Sequence, residues 1–392
     1  MSGGGWATRP LHKCGELRSG GTPSKSNPSF WDGELPWFSS KEIKAFTLDD
    51  TELHVSPAAI GSGTTLVPEG TVLFVVRGMS LAREFRIGVT TRPSTFNQDV
   101  KALVPASDVD SRYLARYLRW LEPKILASTE SSTHGTKRLP SGAFESLPIP
   151  LPPLPEQRRI ADILDKADAI RRKRKEAIAL TEQLLRSTFL EMFGDPVTNP
   201  KGWPVKPLGE LADVNRGKFS PRPRNDPRFY GGRYPFIQTG ELRNTSGYLR
   251  AWKQTLNEDG RSVSRGFERG SIAIAIAANI GDTAIVDFDF YCPDSVVGIS
   301  ARECLATNEF LEMTLRLFQT KLISEAPETA QKNINLETLR PLPIPAPPLR
   351  RQQNLSEIYR ATYRAILHMD TSSKASHHLF STLAHRAFSG TL

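Results

Sequence analysis

The sequence predicts a mixed α/β (α+β) protein built twice from one plan: two globular domains in tandem, each followed by a long helix, the two helices pairing antiparallel as a coiled-coil spacer. Three observations carry this. Leu147-Pro-Ile-Pro-Leu-Pro-Pro-Leu-Pro-Glu-Gln157 returns as Leu342-Pro-Ile-Pro-Ala-Pro-Pro-Leu-Arg-Arg-Gln352, 195 positions later. Each copy opens a stretch free of Pro and Gly in which apolar residues recur at three- and four-residue steps. Ahead of each copy lie short β-branched runs separated by Gly, Pro, Asn and Asp turns. The resulting boundaries are 1–155 for the first domain with its proline-rich connector and 156–196 for the central helix, then 197–350 for the second domain with its connector and 351–392 for the distal helix.

In the first domain, Gly20-Gly21-Thr-Pro23, Asn27-Pro28 and Asp32-Gly33 mark turns. Thr71-Val-Leu-Phe-Val-Val76 reads as a buried strand and Gly88-Val-Thr-Thr91 as another. Tyr113, Leu114, Tyr117, Leu118 and Leu121 share one face of a helix from Ser111 to Leu121, which Pro123 should stop. Ser128 to Gly135 is a Ser/Thr-rich loop. The proline run removes backbone donors and fixes φ, so it is expected to be an extended, polyproline-like connector that sets the angle between domain and helix. From Glu156 to Phe193 the apolar residues, Ile160 and Leu164 through Ile178 and Leu185 to Phe189, follow helical spacing. That predicts one helix of about 57 Å at 1.5 Å per residue, ended by Gly194-Asp195-Pro196.

The second copy repeats the order. Gly209-Glu210-Leu211 echoes Gly15-Glu16-Leu17, Gly232 to Ile237 echoes Gly33 to Phe38, and the run from Ile272 corresponds to the strand at Val72. Glu309 to Phe318 matches the helix at Tyr113, and Gln331-Lys-Asn-Ile334 matches Thr136-Lys-Arg-Leu139. A second long helix from about Gln352 to Phe388 carries Leu355, Ile358, Ile366, Leu379 and Leu383. Between the matches the side chains differ widely, as expected when two copies do the same kind of work on different targets. Apolar stripes this wide should make the two helices pack together. Antiparallel pairing would set the domains at opposite ends of a rod. Ile160, Leu164, Ile178 and Leu185 on the first helix, with Ile358, Ile366, Leu379 and Leu383 on the second, would form the spacer and a docking face for other subunits.

The net charge of +9 and pI near 9.5 favour a polyanionic partner such as nucleic acid. Three cysteines, Cys14, Cys292 and Cys304, without CxxC spacing argue for a reducing compartment and against structural zinc. The N-terminus lacks the apolar core of a signal peptide, and the most apolar run, Ser271 to Ala278, is too short to span a bilayer, so a cytoplasmic protein with no membrane partner is expected.

The densest basic segment, Arg216 to Arg269, holds twelve Lys or Arg against five acids and interleaves Phe219, Phe229, Tyr230, Tyr234, Tyr248 and Trp252. Guanidinium groups in Pro/Gly-rich loops suit phosphate clamping and bidentate reading of guanine edges, which makes Arg216, Lys218, Arg222, Arg224, Arg228, Arg233 and Arg243 candidate DNA contacts. In the first domain the candidates are Lys25, Arg77, Arg83 and Lys137, with Arg86 nearby. A solvated basic surface is the alternative. Arg171-Arg-Lys-Arg-Lys175 spreads around all faces of the first long helix and fits contact with a DNA backbone or an acidic partner surface and a solvated rod equally. No Walker A sequence is present, because Arg216-Gly-Lys-Phe219 lacks the spaced first glycine and the Ser/Thr after Lys. Asn27-Pro-Ser-Phe30 has a loose likeness to an adenine methyltransferase loop but lacks a glycine-rich cofactor loop upstream. Asp32, Glu42 and Lys44 supply the residue types of a restriction nuclease without its context. His377, His378 and His385 have no carboxylate at metal-ligand spacing. No catalytic residue and no metal site is assigned.

At the paired proline-to-helix junctions the sequence resembles the specificity subunit of Type I restriction-modification systems. Leu147 to Ala161, with Phe189-Leu-Glu-Met-Phe-Gly-Asp195 closing the helix, is similar to that family's central region, and Leu342 to Leu392 to its distal region. Gly15-Glu-Leu-Arg-Ser-Gly-Gly-Thr-Pro23 resembles the opening of a target recognition domain. The distal copy departs from the pattern, with Arg350-Arg351 where the proximal copy has Pro155-Glu156. The resemblance implies a non-catalytic subunit whose two target recognition domains each read half of a bipartite, asymmetric site in double-stranded DNA. It implies two modification (methyltransferase) subunits and restriction (motor-nuclease) subunits as partners. S-adenosylmethionine, ATP and Mg²⁺ would belong to those partners, with no cofactor in this chain. A DNA-modifying enzyme in its own right and a scaffold that never touches DNA are the competing readings.

Overall fold

The structure, a computed structural model, describes residues 6–131, 136–243, 245, 247–325 and 333–392, without the side chains of 371–378. Packing groups the chain into two units, Met1–Lys173 with Ser373–Leu392, and Arg174–Ser372. Each long helix therefore belongs partly to one unit and partly to the other, whereas the sequence boundaries at 155, 196 and 350 follow the ends of elements.

The first unit contains strands β1 (Thr8–Pro10), β2 (Gly15–Ser19), β3 (Thr47–Leu48), β4 (Val72–Val75), β5 (Ile87–Thr90), β6 (Val100–Pro105), helix α1 (Ser111–Trp120), strand β7 (Pro148–Pro150) and the start of the long helix α2 (Leu154–Phe193). Its main sheet runs β2–β6–β4–β5–β3, antiparallel except for the β5–β3 pair. Strand β4 is buried along its whole length, which is why it reads as a continuous apolar run rather than an alternating one. Phe74, Phe96, Tyr113, Leu118, Ile149, Ile160 and Leu164 form one core, closed by Ala387 and Phe388 from the end of the second long helix.

The second unit repeats this with β8 (Val205–Pro207), β9 (Ala212–Arg216), β10 (Tyr248–Leu249), β11 (Ile272–Ala275), β12 (Thr283–Val286), β13 (Val296–Ala301), α3 (Asn308–Glu325), β14 (Pro343–Pro345) and the long helix α4 (Leu349–Phe388). The sheet order β9–β13–β11–β12–β10, with β10–β12 as the parallel pair, is the order of the first sheet position for position. The end of α2 closes this core through Leu185, Phe189 and Phe193, and the start of α4 through Leu355, Tyr359 and Tyr363.

Several expectations need correcting. The proline run is extended but is more than a connector: Ile149 pairs with Arg9 and Ile344 with Lys206, so each domain is closed by an antiparallel pair of its first and last strands. The two-stranded pair tolerates prolines because each strand has an unpaired side, and the one non-proline residue of each strand, Ile149 or Ile344, is fully buried. Both long helices start two or three residues earlier than expected, since Pro155 in the first turn of α2 has no amide that the helix needs. Pro123 does not stop α1; the chain turns at Leu121, and Pro123 lies in the first turn of a short helix, Glu122–Ala127. Within Ser128 to Gly135, Glu130–Ser131 is a strand on Lys137–Arg138, and residues 132–135 lie outside the described residues. Gly15-Glu-Leu and Gly209-Glu-Leu are not equivalent, because the first opens strand β2 and the second is a helical turn before β9. Leu11 and Leu208 are the true counterparts, donating to the carbonyls of Leu147 and Leu342 at 2.9 and 3.0 Å. Gln331 and Lys332 lie outside the described residues, while Ile334 and Leu139 make matching bonds to Ile276 and Val76.

One glutamine locks each helix to its domain. The Gln157 amide donates to the Asp108 and Pro152 carbonyls at 3.0 and 2.8 Å, and its oxygen accepts the Asp110 amide at 2.9 Å. Gln352 does the same with Leu305, Pro347 and Thr307 at 3.3, 2.9 and 3.1 Å. Both are 1% exposed, so Gln157→Ala strands three buried polar groups and is expected to cost about 2–3 kcal/mol, read as a lower urea midpoint.

On this common frame the charges at the helix–domain joint are exchanged. In the first unit the bases sit on α1: Arg112 donates to Asp162 and Asp165 at 2.9 and 3.0 Å, and Arg116 to Asp165 and Asp168 at 2.8 and 3.3 Å. Burial opposes ionisation of Asp168, yet Arg116 and Arg171 hold its carboxyl below the ordinary value. In the second unit the acids sit on α3: Glu309 accepts Arg360 at 2.6 Å, and Glu312 accepts Tyr359 at 2.8 Å. Superposing the glutamine locks, Asp110 on Thr307 and Gln157 on Gln352, puts Arg112 in the place of Glu309 and Asp165 in the place of Arg360.

Candidate nucleic-acid interface

The basic segment of the second unit folds around a second sheet, in the order Gln254–Leu256, Tyr230–Phe236, Phe290–Cys292, Arg265–Phe267. Its small core is Phe219, Phe236 and Leu256, with Phe229, Tyr230, Tyr234 and Tyr291 packed on it. Phe219 lies 5.1 Å from Phe236, and Tyr234 lies 5.7 Å from Tyr291. The interleaved aromatics therefore hold the loops in place rather than standing free to stack on bases. Trp252 is the exception, 45% exposed and set edge-on to Phe288.

The arginines stand outside this core, and three of the nearby carboxylates are each shared by two of them. Arg224 pairs with Asp294 at 2.6 Å, Arg222 reaches the same carboxylate at 4.0 Å, and Arg216 donates to the Asp294 carbonyl at 2.6 Å. Arg233 and Arg261 share Glu258, both at 3.3 Å, while Arg228 lies 3.6 Å from Asp259. Arg250 and Arg269 share Asp287 at 3.2 and 2.7 Å. Gly217 allows a close approach: a Cβ there would lie 2.3 Å from the Pro293 carbonyl oxygen, so only glycine lets Arg216 and Lys218 run beside the Asp294 turn. Lys218 and Arg243 are exposed and make no ion pair among the described residues.

In the first unit Arg77 lies on a two-residue strand that pairs with Lys137–Arg138, which brings Arg77 and Lys137 onto adjacent strands. Lys137 donates to Ser131 at 2.9 Å. Lys25 and Arg83 sit on separate exposed loops, beside the turn at Pro28–Phe30 and after Met79–Ala82. Sequence reasoning passed over Arg261, Arg265, Arg250 and Arg269 as individual candidates, and the acids that bridge them.

Of the apolar helix positions, Ile160 and Leu164 are buried in the first unit's core and Leu185 in the second's, with Ile366 and Leu383 packed partly against those cores. Ile178 is half-buried, while Ile358 and Leu379 are 39% and 54% exposed. In the basic run, Arg171 donates to Asp168 at 2.7 Å, and Arg172 lies 3.6 Å from it. Asn27 caps the turn at Pro28–Phe30 by accepting the Ser29 amide, and the Glu42 carboxylate is spent on Ser39 and the Glu52 amide. Burial pushes the Cys14 thiol up to about 11, which leaves it protonated near neutral pH. His385 packs against Trp120, and the side chains of His377 and His378 lie outside the described residues. No described helix is long and apolar enough to cross a membrane.

A model of the Type I restriction modification DNA specificity domain matches residues 3–180 and again residues 200–372. The chain belongs to this family. It is 31% identical over 192 residues to the specificity subunit of the type I restriction enzyme EcoR124I/EcoR124II of Escherichia coli, covering 48% of this chain and 47% of the relative. It is 26% identical over 259 residues to the MjaIX specificity subunit of Methanocaldococcus jannaschii, covering 60% and 58%. The chain thus spans about half the length of these curated relatives. The fold of this specificity-domain pair is that of the Type-I restriction-modification S subunit from M. genitalium, with a TM-score of 0.63 and 14% identity over 98% of this chain and 96% of that one. A chain from a study of complex assembly and conformational transition in the type I R-M system gives a TM-score of 0.55 at 18% identity over all of both chains.

Proposed function

We propose that the chain is the DNA sequence-specificity subunit of a Type I restriction-modification enzyme and changes no covalent bond itself. The observation that carries this is a duplicated specificity domain whose scaffold repeats strand for strand while its exposed basic loops do not. Each domain reads one half of a bipartite, asymmetric target in double-stranded DNA. The long helices set the unread spacer and dock two modification (methyltransferase) subunits, and restriction (motor-nuclease) subunits join that complex. S-adenosylmethionine, ATP and Mg²⁺ are held by those partners.

Shared carboxylates suit this role. An exposed ion pair is worth at most about 1 kcal/mol, so exchanging Asp294, Glu258 or Asp287 for a phosphate costs little while releasing condensed counterions gains much. The partner acids keep the arginines extended in the free protein without neutralising them.

The test is methylome sequencing of a host with and without this gene, the modification partner being present and active. Methylation at a two-part motif should vanish with the gene; an unchanged methylome sinks the proposal. Adding one helical turn within residues 160–190 is expected to change the unread spacing or abolish activity and to leave each half-site as it was. Altered half-site bases would contradict the division of labour between loops and helices.

A further inference from the structure

A cavity of about 290 Å³ lies in the first unit, between the end of α1, the start of α2 and the last turns of α4. Arg116, Arg119 and Arg171 line it together with one carboxylate, Glu122, and its walls are Trp120, Phe380 and Phe388. Two of these guanidinium groups are already satisfied. Arg116 is bonded to Asp165 and Asp168 and stacks over Phe46 at 3.7 Å, and Arg171 is bonded to Asp168. Arg119 is partly buried, yet no carboxylate or hydrogen-bond acceptor meets it among the described residues. The nearby acids are engaged elsewhere: Asp168 is shared by Arg116, Arg171 and Arg172, and Glu122 accepts the Phe85 amide at 2.7 Å. Burial first, then Arg116, push the Arg119 pKa down, as for a charge lacking its counter-ion.

The second unit shows what an arginine at this position takes. On the alignment that superposes the glutamine locks, Arg119 corresponds to Arg316 and Ala115 to Glu312. Arg316 is satisfied within its own unit, donating to Glu312 at 3.0 Å and to the Tyr363 hydroxyl at 3.1 Å. In the first unit the carboxylate is missing because alanine stands in its place.

We propose that this cavity is a socket for a carboxylate-bearing side chain of a modification subunit, which supplies in trans the counter-ion that Glu312 supplies in cis. The proposal rests on the specificity-subunit reading above. At about 290 Å³ the cavity has room for one acidic side chain. Aromatic walls favour a carboxylate on an apolar stem over a free, fully hydrated phosphate.

Two variants test it in the full-length chain: Arg119→Glu, which repels the incoming carboxylate, and Ala115→Glu, which fills the socket from within. Binding of the purified modification subunit is expected to weaken about tenfold or more in both, with the thermal midpoint of Arg119→Glu unchanged or raised, because no intrachain bond is lost. Lys41→Ala, at an exposed turn, should assemble normally. If Arg119→Glu binds the modification subunit as tightly as wild type, the socket is refuted while the specificity reading stands. If millimolar inorganic phosphate raises the thermal midpoint of the wild type but not of Arg119→Glu, the site takes small anions and the proposal also falls. If the wild type itself never binds the modification subunit, the specificity reading fails and takes the socket with it.

Discussion

Glu312→Ala is expected to cost the second unit about 3–5 kcal/mol, the loss seen when one partner of a buried charged network is removed. The Glu312 side chain has no exposed surface, and it accepts from Thr283 at 2.9 Å, Tyr359 at 2.8 Å and Arg316 at 3.0 Å. Truncation leaves a guanidinium and two buried hydroxyls without their acceptor. Burial alone, the largest influence on the Tyr359 hydroxyl, already holds it above its ordinary pKa and opposes its ionising to replace the lost charge. Glu312→Gln keeps an acceptor for the hydroxyls and is expected to cost about half as much. Glu309→Ala should cost less than Glu312→Ala, about 1–2 kcal/mol: the Glu309 carboxylate is buried and also accepts from Ser356 at 3.0 Å and Tyr248 at 3.2 Å, but Arg360 is 60% exposed and Ser356 keeps its bond to the Thr307 hydroxyl. Urea unfolding of the three variants checks the ranking. A Glu312→Ala loss below that of Glu309→Ala would overturn this ranking and place the stronger restraint at Glu309.

The same networks solve a problem that duplication creates. Two domains with one scaffold and two helices with one glutamine lock invite the wrong helix onto the wrong domain. Docking the start of α4 on the first domain would set Arg360 against Arg112, and docking the start of α2 on the second would set Asp165 against Glu309. Like charges at those places oppose the exchange, while the locks at Gln157 and Gln352 are too alike to do so. Arg112→Glu is the corresponding error made within one chain, with a third carboxylate beside Asp162 and Asp165.

The frame of the fold was legible because its signals are local. Prolines and the gap in Pro and Gly mark the junctions and helices, and β-branched runs mark β4 and β11, since a strand buried on both faces needs no partner to be recognised. The closing strands were not legible: Pro148–Pro150 pairs with residues 140 positions earlier, and proline argues locally against any ladder. The second sheet of the second unit escaped for a similar reason, its strands being short, glycine-bearing and joined across long loops. The candidate arginines were visible as composition, but not their restraints, because Arg224 and Asp294 are 70 positions apart. Nor does sequence separate an aromatic that stacks on a ligand from one that packs inward, so the interleaved aromatics did not reveal that Phe219 is core and Tyr234 packs against it. The charge exchange was hidden by a two-residue shift in the repeat between the junctions and the helices that pack on them.

Neutralising Arg222 and Arg224 together should weaken DNA binding by the assembled enzyme about 100-fold at low salt and reduce the slope of log affinity against log salt by about 2. Both side chains are largely exposed, at 58% and 48%, and they converge on one carboxylate from a loop anchored beneath by Phe219. Their pairing with Asp294 costs little to break, so nearly the whole electrostatic gain from two phosphates is lost with them. The change in slope separates this from misfolding, which would lower the active fraction without altering salt dependence. It also separates two ways of touching DNA. If the arginines clamp phosphates, the loss is equal for cognate and altered second half-sites. If one of them reads a guanine edge, the cognate site loses more and specificity relaxes at a single base pair by about 1–3 kcal/mol. Asp294→Asn is the converse variant: it releases Arg224 and removes the negative charge beside Arg222, whose bonds to the Phe219 and Pro221 carbonyls stay, and should raise affinity for any duplex. Unaltered affinity and slope in the double Arg variant would remove this loop from the interface and leave Arg233, Arg261 and the Glu258 cluster as the basic surface of the second domain.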